Sequence, residues 1–499
     1  MSMPVDPRTP VLVGVGQVVH HPTPNATYDT QPHPLDLMVE ALECASRDAG
    51  NERRVLESVD EIVAVGSFSW HTNDPALLVA QRLALSDVTT RLTATGGNTP
   101  QQLVHESARR ILAGDVTTVA VVGAEAMHAR ALARREGRTV DWLMQSDDVA
   151  KPLLGEEVRI PLTADEYAQG LTLPAEVYPL FENARRARHQ WSLETQRERL
   201  GTLWENFARV AQSNPHAWLR SAPTANEIAT PSTSNRMIAF PYTKFLVANL
   251  PVDMGAAYVI TSYENALAQG VARDAMVFPQ FGADANDHWF VSERPALDDS
   301  PAMRAIWDAL RDFGVRESEL SRIDLYSCFP TVVQTACDVL GIDAFDPSRV
   351  PTLTGGLTFA GGPGNNYVTH AVASVVEALR NDQHGQGLVT GLGWFSTKHS
   401  WGTYATSPPT GGFQWRDVQR EVDAQPKCAY KALDGEVVIE SYTVRHDRSD
   451  DPQRLVVAAR NPRGARTWCH STDVELMKRA ESEEIIGTSG VVKDGLLTT

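Results

Sequence analysis

The chain has 499 residues, 42% hydrophobic and 21% charged, a composition that excludes a disordered or fibrous protein. At ~150 residues per domain, this length accommodates about three structural units. Lys and Arg number 45 against 62 Asp and Glu, a net charge of −17. That balance argues against a general nucleic-acid or anionic-membrane surface and leaves room only for a local basic pocket.

The five cysteines (Cys44, Cys328, Cys337, Cys428 and Cys469) are scattered and form no CxxC pair, so neither a disulfide framework nor a zinc knuckle is expected. The opening MSMPVDPRTP lacks the basic and apolar regions of a signal peptide. Apolar stretches such as Val116 to Val122 fall well short of the ~18–20 residues that span a bilayer. These features point to a reduced, soluble, cytoplasmic α/β protein.

Strand and helix signals alternate from the start. Val11 to Gly16 reads as a buried strand, Pro34 to Asp48 as an amphipathic helix and Glu61 to Val65 as a second strand. Leu92 to Thr95 reads as a third strand, and the turn Gly96-Gly97-Asn98-Thr99-Pro100 opens a helix from Gln101 to Leu112. Thr117 to Val122 is the next strand. The order recurs later. A helix over Met303 to Phe313 precedes a strand at Asp324 to Tyr326 and a helix from Phe329 to Leu340. Thr354 to Phe359 reads as a strand, Gly361 to Gly364 as the turn into a helix ending near Asn381, and Gly387 to Thr390 begins a further strand. This predicts a duplicated βαβα unit in a layered fold, with a period too long for a solenoid.

The boundaries follow. Residues 1–270 form a first half carrying a helical excursion over 128–241, and residues 271–406 form a second half. A turn-rich linker at 407–413 leads to 414–499, where polar–apolar alternation and Asp434-Gly435 as a hairpin turn predict a small all-β barrel independent of the rest.

Common signatures are missing. Val13-Gly14-Val15-Gly16 lacks the third glycine of a dinucleotide loop, and no GxxxxGK[ST], HExxH or GxSxG occurs. The two glycine-rich turns are more informative. Each leads into a helix N-terminus, where free N–H groups and the dipole attract anions or oxyanions, and their matching places predict one shared site.

VLVGVGQ, LTATGGNTPQQLVHESARRILAGD, VAVVGAEAM, ANLPVDMGAA, IDLYSCFPTVVQ, LTGGLTFAGGPGNNYVTHA and VTGLGWFSTKHS together resemble the thiolase superfamily. The similarity is to the acetyl-CoA acetyltransferase branch related to sterol-carrier-protein thiolases, over nearly everything from Thr9 to about Thr406. It implies a five-layer αβαβα fold, acyl-CoA as substrate or ligand, no separate cofactor or metal, a place in lipid metabolism and the dimers or tetramers usual in the family. The C-terminal segment has no counterpart in a minimal thiolase.

Thiolases acylate a cysteine at a helix N-terminus, shuttle protons through a histidine and a second cysteine, and hold the enolate in an oxyanion hole. Position by position, the nucleophile's place falls on Gly97. The residue before the family's EAF segment falls on Tyr326, the histidine of its GHP turn on Gly362, and its second cysteine near Thr390. All four depart from the pattern, so thiolysis is expected to be absent. Cys328 is read as a structural neighbour of the site. Tyr326 and His399 remain as proton-transfer candidates, and Asn98, Asn365, Asn366, Lys398 and His399 as lining of a CoA or acyl pocket. The expected function is therefore CoA-thioester binding without thiolase catalysis. The alternatives are an active acyltransferase or retro-aldol lyase using Tyr326 or His399, and a non-enzymatic scaffold working through the barrel. Neither nucleic acid nor membrane is expected as a partner.

Overall fold

A computed structural model of the chain describes residues 5–155, 159–382 and 385–498. Strand β1 (Pro10–Val19) is followed by helix α1 (Pro34–Asp48), which buries Leu35, Met38, Ala41, Leu42 and Ala45 along one stripe. Gly14 and Gly16 lie directly beneath that helix, where a Cβ would strike the backbone at Ala45 and Ala41. Close packing, and not a nucleotide, accounts for the VGVG run. Then come β2 (Glu61–Ala64), β3 (Thr89–Thr93), α2 (Thr99–Ala113), β4 (Thr118–Ala126) and the short β5 (Leu153–Leu154).

The excursion is helical, as its periodicity predicts, with α3 (Pro174–Arg188) and α4 (Leu193–Ser213) as its longest members. It closes with the strands β6 (Met237–Ala239) and β7 (Tyr242–Thr243). Strand β8 (Asp253–Ser262) returns to complete a six-stranded sheet in the order β1-β8-β4-β2-β3-β5.

The second half contributes β9 (Phe278–Asn286), α5 (Pro301–Asp312), β10 (Leu320–Asp324), α6 (Tyr367–Asn381), β11 (Gln386–Gly393) and β12 (Lys398–Ala405). Its sheet runs β10-β11-β12-β9-β13, where β13 is Gln414–Asp417. Helices α2 and α6 lie between the two sheets and touch both. With α1 outside the first sheet and α5 outside the second, the layers are αβαβα.

Three sequence expectations are corrected here. Thr354 to Phe359 is not a strand but a bend and a short helix, Gly356–Phe359. Gly355 and Gly356 take φ of +96° and +79°, which a strand cannot accommodate. The buried Asp324 carboxylate accepts from the N–H groups of Leu353 and Thr354 that a neighbouring strand would have satisfied. The second sheet therefore lacks a counterpart of β3.

The C-terminal barrel is present but not independent. Strands β14 (Gly435–His446), β15 (Pro452–Arg460), β16 (Arg466–Ser471), β17 (Ser489–Lys493) and β18 (Leu496–Thr498) close on one another in the order β14-β15-β16-β18-β17. Gln414–Asp417 pairs with β9 in the second sheet, and the hairpin β6–β7 joins the barrel through Ala239 opposite Arg445. Gly435 starts β14 and is not a hairpin turn. The β14–β15 reversal falls at Asp447 to Asp451. Among the described residues no helix is long and apolar enough to cross a membrane, and all five cysteines are free.

Candidate functional site

The residue that follows the second glycine turn reaches the first. Gly96 N–H donates to Asn365 Oδ1 at 3.0 Å, and Asn365 Nδ2 donates to the Gly66 carbonyl at 2.7 Å. Asn366 works the same way, with Nδ2 on the Gly123 carbonyl and Oδ1 accepting from Thr369 Oγ1. Both amides are thus used to hold the halves together. The structure places them at the shared site as tethers, not as free ligand contacts.

Gly97 sits at the entry to α2. A Cβ there would collide with the Tyr326 hydroxyl and stand 2.6 Å from the Leu392 carbonyl oxygen. The tyrosine thus fills the space that a side chain at position 97 would need. Tyr326 is 7% exposed, its ring meets Tyr367 edge-on at 5.5 Å, and its own N–H donates to Thr390 Oγ1 at 2.8 Å. Burial drives the Tyr326 phenol far above its usual range. Thr390 is buried and its hydroxyl oxygen is engaged by that backbone bond.

Gly362 differs from Gly97. Its N–H donates to the Asn249 carbonyl at 2.9 Å, and a Cβ would find its nearest neighbour, the same carbonyl oxygen, at 3.3 Å. There is almost room for a side chain, and none is present.

The sequence reading missed Tyr178. Helix α3 of the excursion inserts it beside the site, where its hydroxyl donates to the Trp394 carbonyl and accepts from Ser396 N–H, both at 2.8 Å. Its ring stacks on Phe329 at 4.4 Å. Nothing in PAEVYPLF marks this tyrosine over its neighbours, because the contact joins residues more than 200 positions apart.

Cys328 lies against this aromatic cluster and burial pushes its thiol up to about 12. Burial does the same to Cys469. Alkylation of the native protein at pH 8 is expected to label the half-buried Cys44 and Cys428 and to spare Cys328, Cys337 and Cys469. Peptide mass spectrometry checks this, and rapid labelling of Cys328 would show an accessible thiolate at the site.

The adjacent Lys398 and His399 part company. Alternation along β12 turns them to opposite faces. His399 is fully buried away from α2, with Nε2 at 3.1 Å from the Ser396 carbonyl and 3.4 Å from Asp287 Oδ2. Burial raises the Asp287 carboxyl, but the His399 ring and then Arg294 outweigh it and hold it below the usual carboxylate range. Among the described residues His399 and Tyr326 share no hydrogen bond.

Lys398 faces α2 and donates to the Thr95 carbonyl at 3.0 Å. Burial lowers its ammonium pKa. It borders a cavity of about 650 Å³ that also touches Thr99, Gln102, Arg159 and Trp289. A neighbouring cavity of about 520 Å³ reaches Asn98, Arg109 and Ser400. Open space therefore lies along the outer face of α2, while Gly97 and Tyr326 are packed.

Residues 417–495 match the family model of the thiolase-like protein type 1 additional C-terminal domain. No curated protein matches the sequence. Among solved structures, a monomeric SCP2-thiolase-like protein type 1 from Mycobacterium smegmatis is 30% identical, with a TM-score of 0.83 and 99% of each chain covered. The Ltp2–ChsH2(DUF35) aldolase is 19% identical with a TM-score of 0.57, covering 80% of this chain and 98% of that one. An acetyl-CoA acetyltransferase from Syntrophomonas wolfei is 14% identical with a TM-score of 0.56, covering 80% and 99%. These last two share the fold alone. The type 1 relative matches from end to end, barrel included, so the chain belongs to the SCP2-thiolase-like proteins of type 1 within the thiolase superfamily.

Proposed function

We propose that this protein binds a CoA thioester in acyl-CoA metabolism and carries out no thiolysis or Claisen condensation. One observation carries the second half of that reading: Gly97 offers no nucleophile, and the Tyr326 hydroxyl takes up the volume a nucleophile would need. Thr390 and Gly362 remove the remaining proton carriers, and Cys328 is held as a neutral thiol by burial. The family's kinship with acetyl-CoA acetyltransferases supports the ligand class, and the open, partly cationic cavity beside α2 supplies a place for it.

The test is paired. Calorimetric titration of acetyl-CoA and longer acyl-CoAs is expected to show binding, and acetoacetyl-CoA with CoA is expected to show no turnover. Loss of a nucleophile costs on the order of 10⁶-fold in turnover. Several turnovers per second, or an acyl adduct trapped on Cys328, overturns the proposal.

A second reading, retro-aldol cleavage of a β-hydroxyacyl-CoA, draws on the place of the Tyr326 hydroxyl at the entry to α2. There the helix dipole favours the phenolate that burial disfavours. Release of a ketone or aldehyde from such a thioester, abolished by Tyr326→Phe, would select this reading over simple binding.

A further inference from the structure

The cleft along α2 holds polar groups that the chain leaves unsatisfied. The face of β12 that carries Lys398, Ser400 and Gly402 looks onto α2, since a Cβ on Gly402 would strike the Gln101 amide. Ser400 is fully buried and its Oγ has no hydrogen-bond partner among the described residues. Asn98, 5% exposed, likewise leaves Oδ1 without one, and its side chain caps none of the N–H groups of α2. Both residues line the same cavity.

The charges around that cavity and the adjoining one, which share Lys398 and Trp289 in their walls, are uneven. Arg159 lies over the Trp289 ring at 4.5 Å, Arg109 over Trp415 at 4.0 Å, and Lys398 Nζ is 6.0 Å from Trp289. Among the described residues none of these three cations has a carboxylate partner. The carboxylates in the walls are already engaged. Glu106 faces Arg91 and Arg110, Asp284 takes His105 and Trp415, Asp287 takes Ser300 and approaches His399, and Glu293 takes Lys427. The exposed Asp417 and Asp423 each accept from Gln419. Among the described residues the cleft holds no uncommitted carboxylate beside these cations and the N-terminus of a 15-residue helix.

We propose that this cleft binds a phosphate ester, with Lys398 and Arg159 on its oxyanions and Ser400 Oγ and the Asn98 amide as neutral donors. Rotation of that amide by half a turn presents Nδ2 in place of Oδ1. The inference rests on the function proposed above, under which the ester is the diphosphate of a CoA thioester. A free organic phosphate would satisfy the same groups, and the experiment separates the two.

Calorimetric titration of the full chain uses three probes: acetyl-CoA, ADP and an acetyl-pantetheine thioester that lacks the nucleotide. Wild type is expected to bind acetyl-CoA and ADP, both more weakly as salt rises. Arg159 is exposed, so Arg159→Ala is not expected to disturb folding. It and Lys398→Ala are each expected to weaken both phosphate ligands about 10-fold or more and to leave the pantetheine thioester unchanged. Lys398→Arg keeps the cation and should retain most of the affinity, which guards against loss by misfolding. Binding of ADP without acetyl-CoA would keep the phosphate site and sink the CoA reading. Binding of acetyl-CoA unaltered in both variants would sink the site and keep the reading. If neither ligand binds wild type, both fall.

Discussion

Gly97→Ala is expected to destabilise the protein by about 1–3 kcal/mol, the range for forcing a methyl group into a packed interior. The added carbon would collide with the Tyr326 hydroxyl and press on the Leu392 carbonyl oxygen at 2.6 Å. One neighbour is the end of a side chain with little freedom and the other is backbone, so neither yields cheaply. Gly362→Ala is the matched control. Its nearest neighbour would stand at 3.3 Å, and the effect should be a fraction of the first. Combining Gly97→Ala with Tyr326→Phe removes the colliding hydroxyl and should recover part of the loss, a coupling of about 0.5–3 kcal/mol. Thermal and denaturant midpoints of these variants and of Tyr326→Phe alone measure this. A Gly97→Ala protein as stable as wild type would mean that Tyr326 does not fill the nucleophile's place. For the same reason Gly97→Cys alone is expected to yield no thiolase, because the thiol would have neither space nor a second proton carrier.

The second large effect is at Arg466. Its side chain is fully buried between the barrel and the second half, and Nη1 donates to the carbonyls of Val291, Ser292 and Arg294 at 3.1, 3.0 and 2.7 Å. The other edge of the guanidinium makes two bonds of 2.7 Å to Glu440. Arg466→Leu would leave three carbonyls and a largely buried carboxylate short of donors, and removing one member of such a pair costs about 3–5 kcal/mol. Arg466→Lys keeps the charge but loses the planar fork, and should fall between. Limited proteolysis after Phe413 should report barrel release before global unfolding. A variant as resistant as wild type would show that the barrel is held elsewhere.

This latch also has a pH sign. Burial raises the Glu440 carboxyl, but Arg466 and then Arg460 outweigh it, and the folded value lies below the ordinary 4.5. The stabilisation is therefore complete above pH 4.5 and lost as the pH falls through the folded value. Arg466→Leu should remove part of that acid sensitivity, read as a smaller difference in thermal midpoint between pH 7 and pH 4.

Much of the architecture is written in local pattern. Helical spacing in Pro34 to Asp48, β-branched runs such as Thr118 to Val122 and the glycine turns before α2 and α6 are short-range signals, and the structure has those elements there. Where the resemblance puts the nucleophile, the sequence has Gly97, which carries no side chain to acylate.

Other features depend on partners distant in sequence. The run Thr354 to Phe359 has strand composition, yet Asp324 takes its N–H groups and two left-handed glycines bend it. The alternation from Gln414 onward marks strands, but which sheet each strand joins is decided by edges left open elsewhere: β9 for Gln414–Asp417 and β14 for the β6–β7 hairpin. Lys398 and His399 are neighbours in sequence and sit on opposite faces of one strand, so only the sheet decides that Lys398 reaches the Thr95 carbonyl and His399 the Asp287 carboxylate. The sequence by itself determined most of the elements and their repeated order, since these depend on residue type and spacing. Only the tertiary structure decided that Tyr326 packs over Gly97 and Tyr178 stacks on Phe329, that open space lies along α2 and that Arg466 locks the barrel. Each of these is a contact between segments that chain-local propensity does not encode.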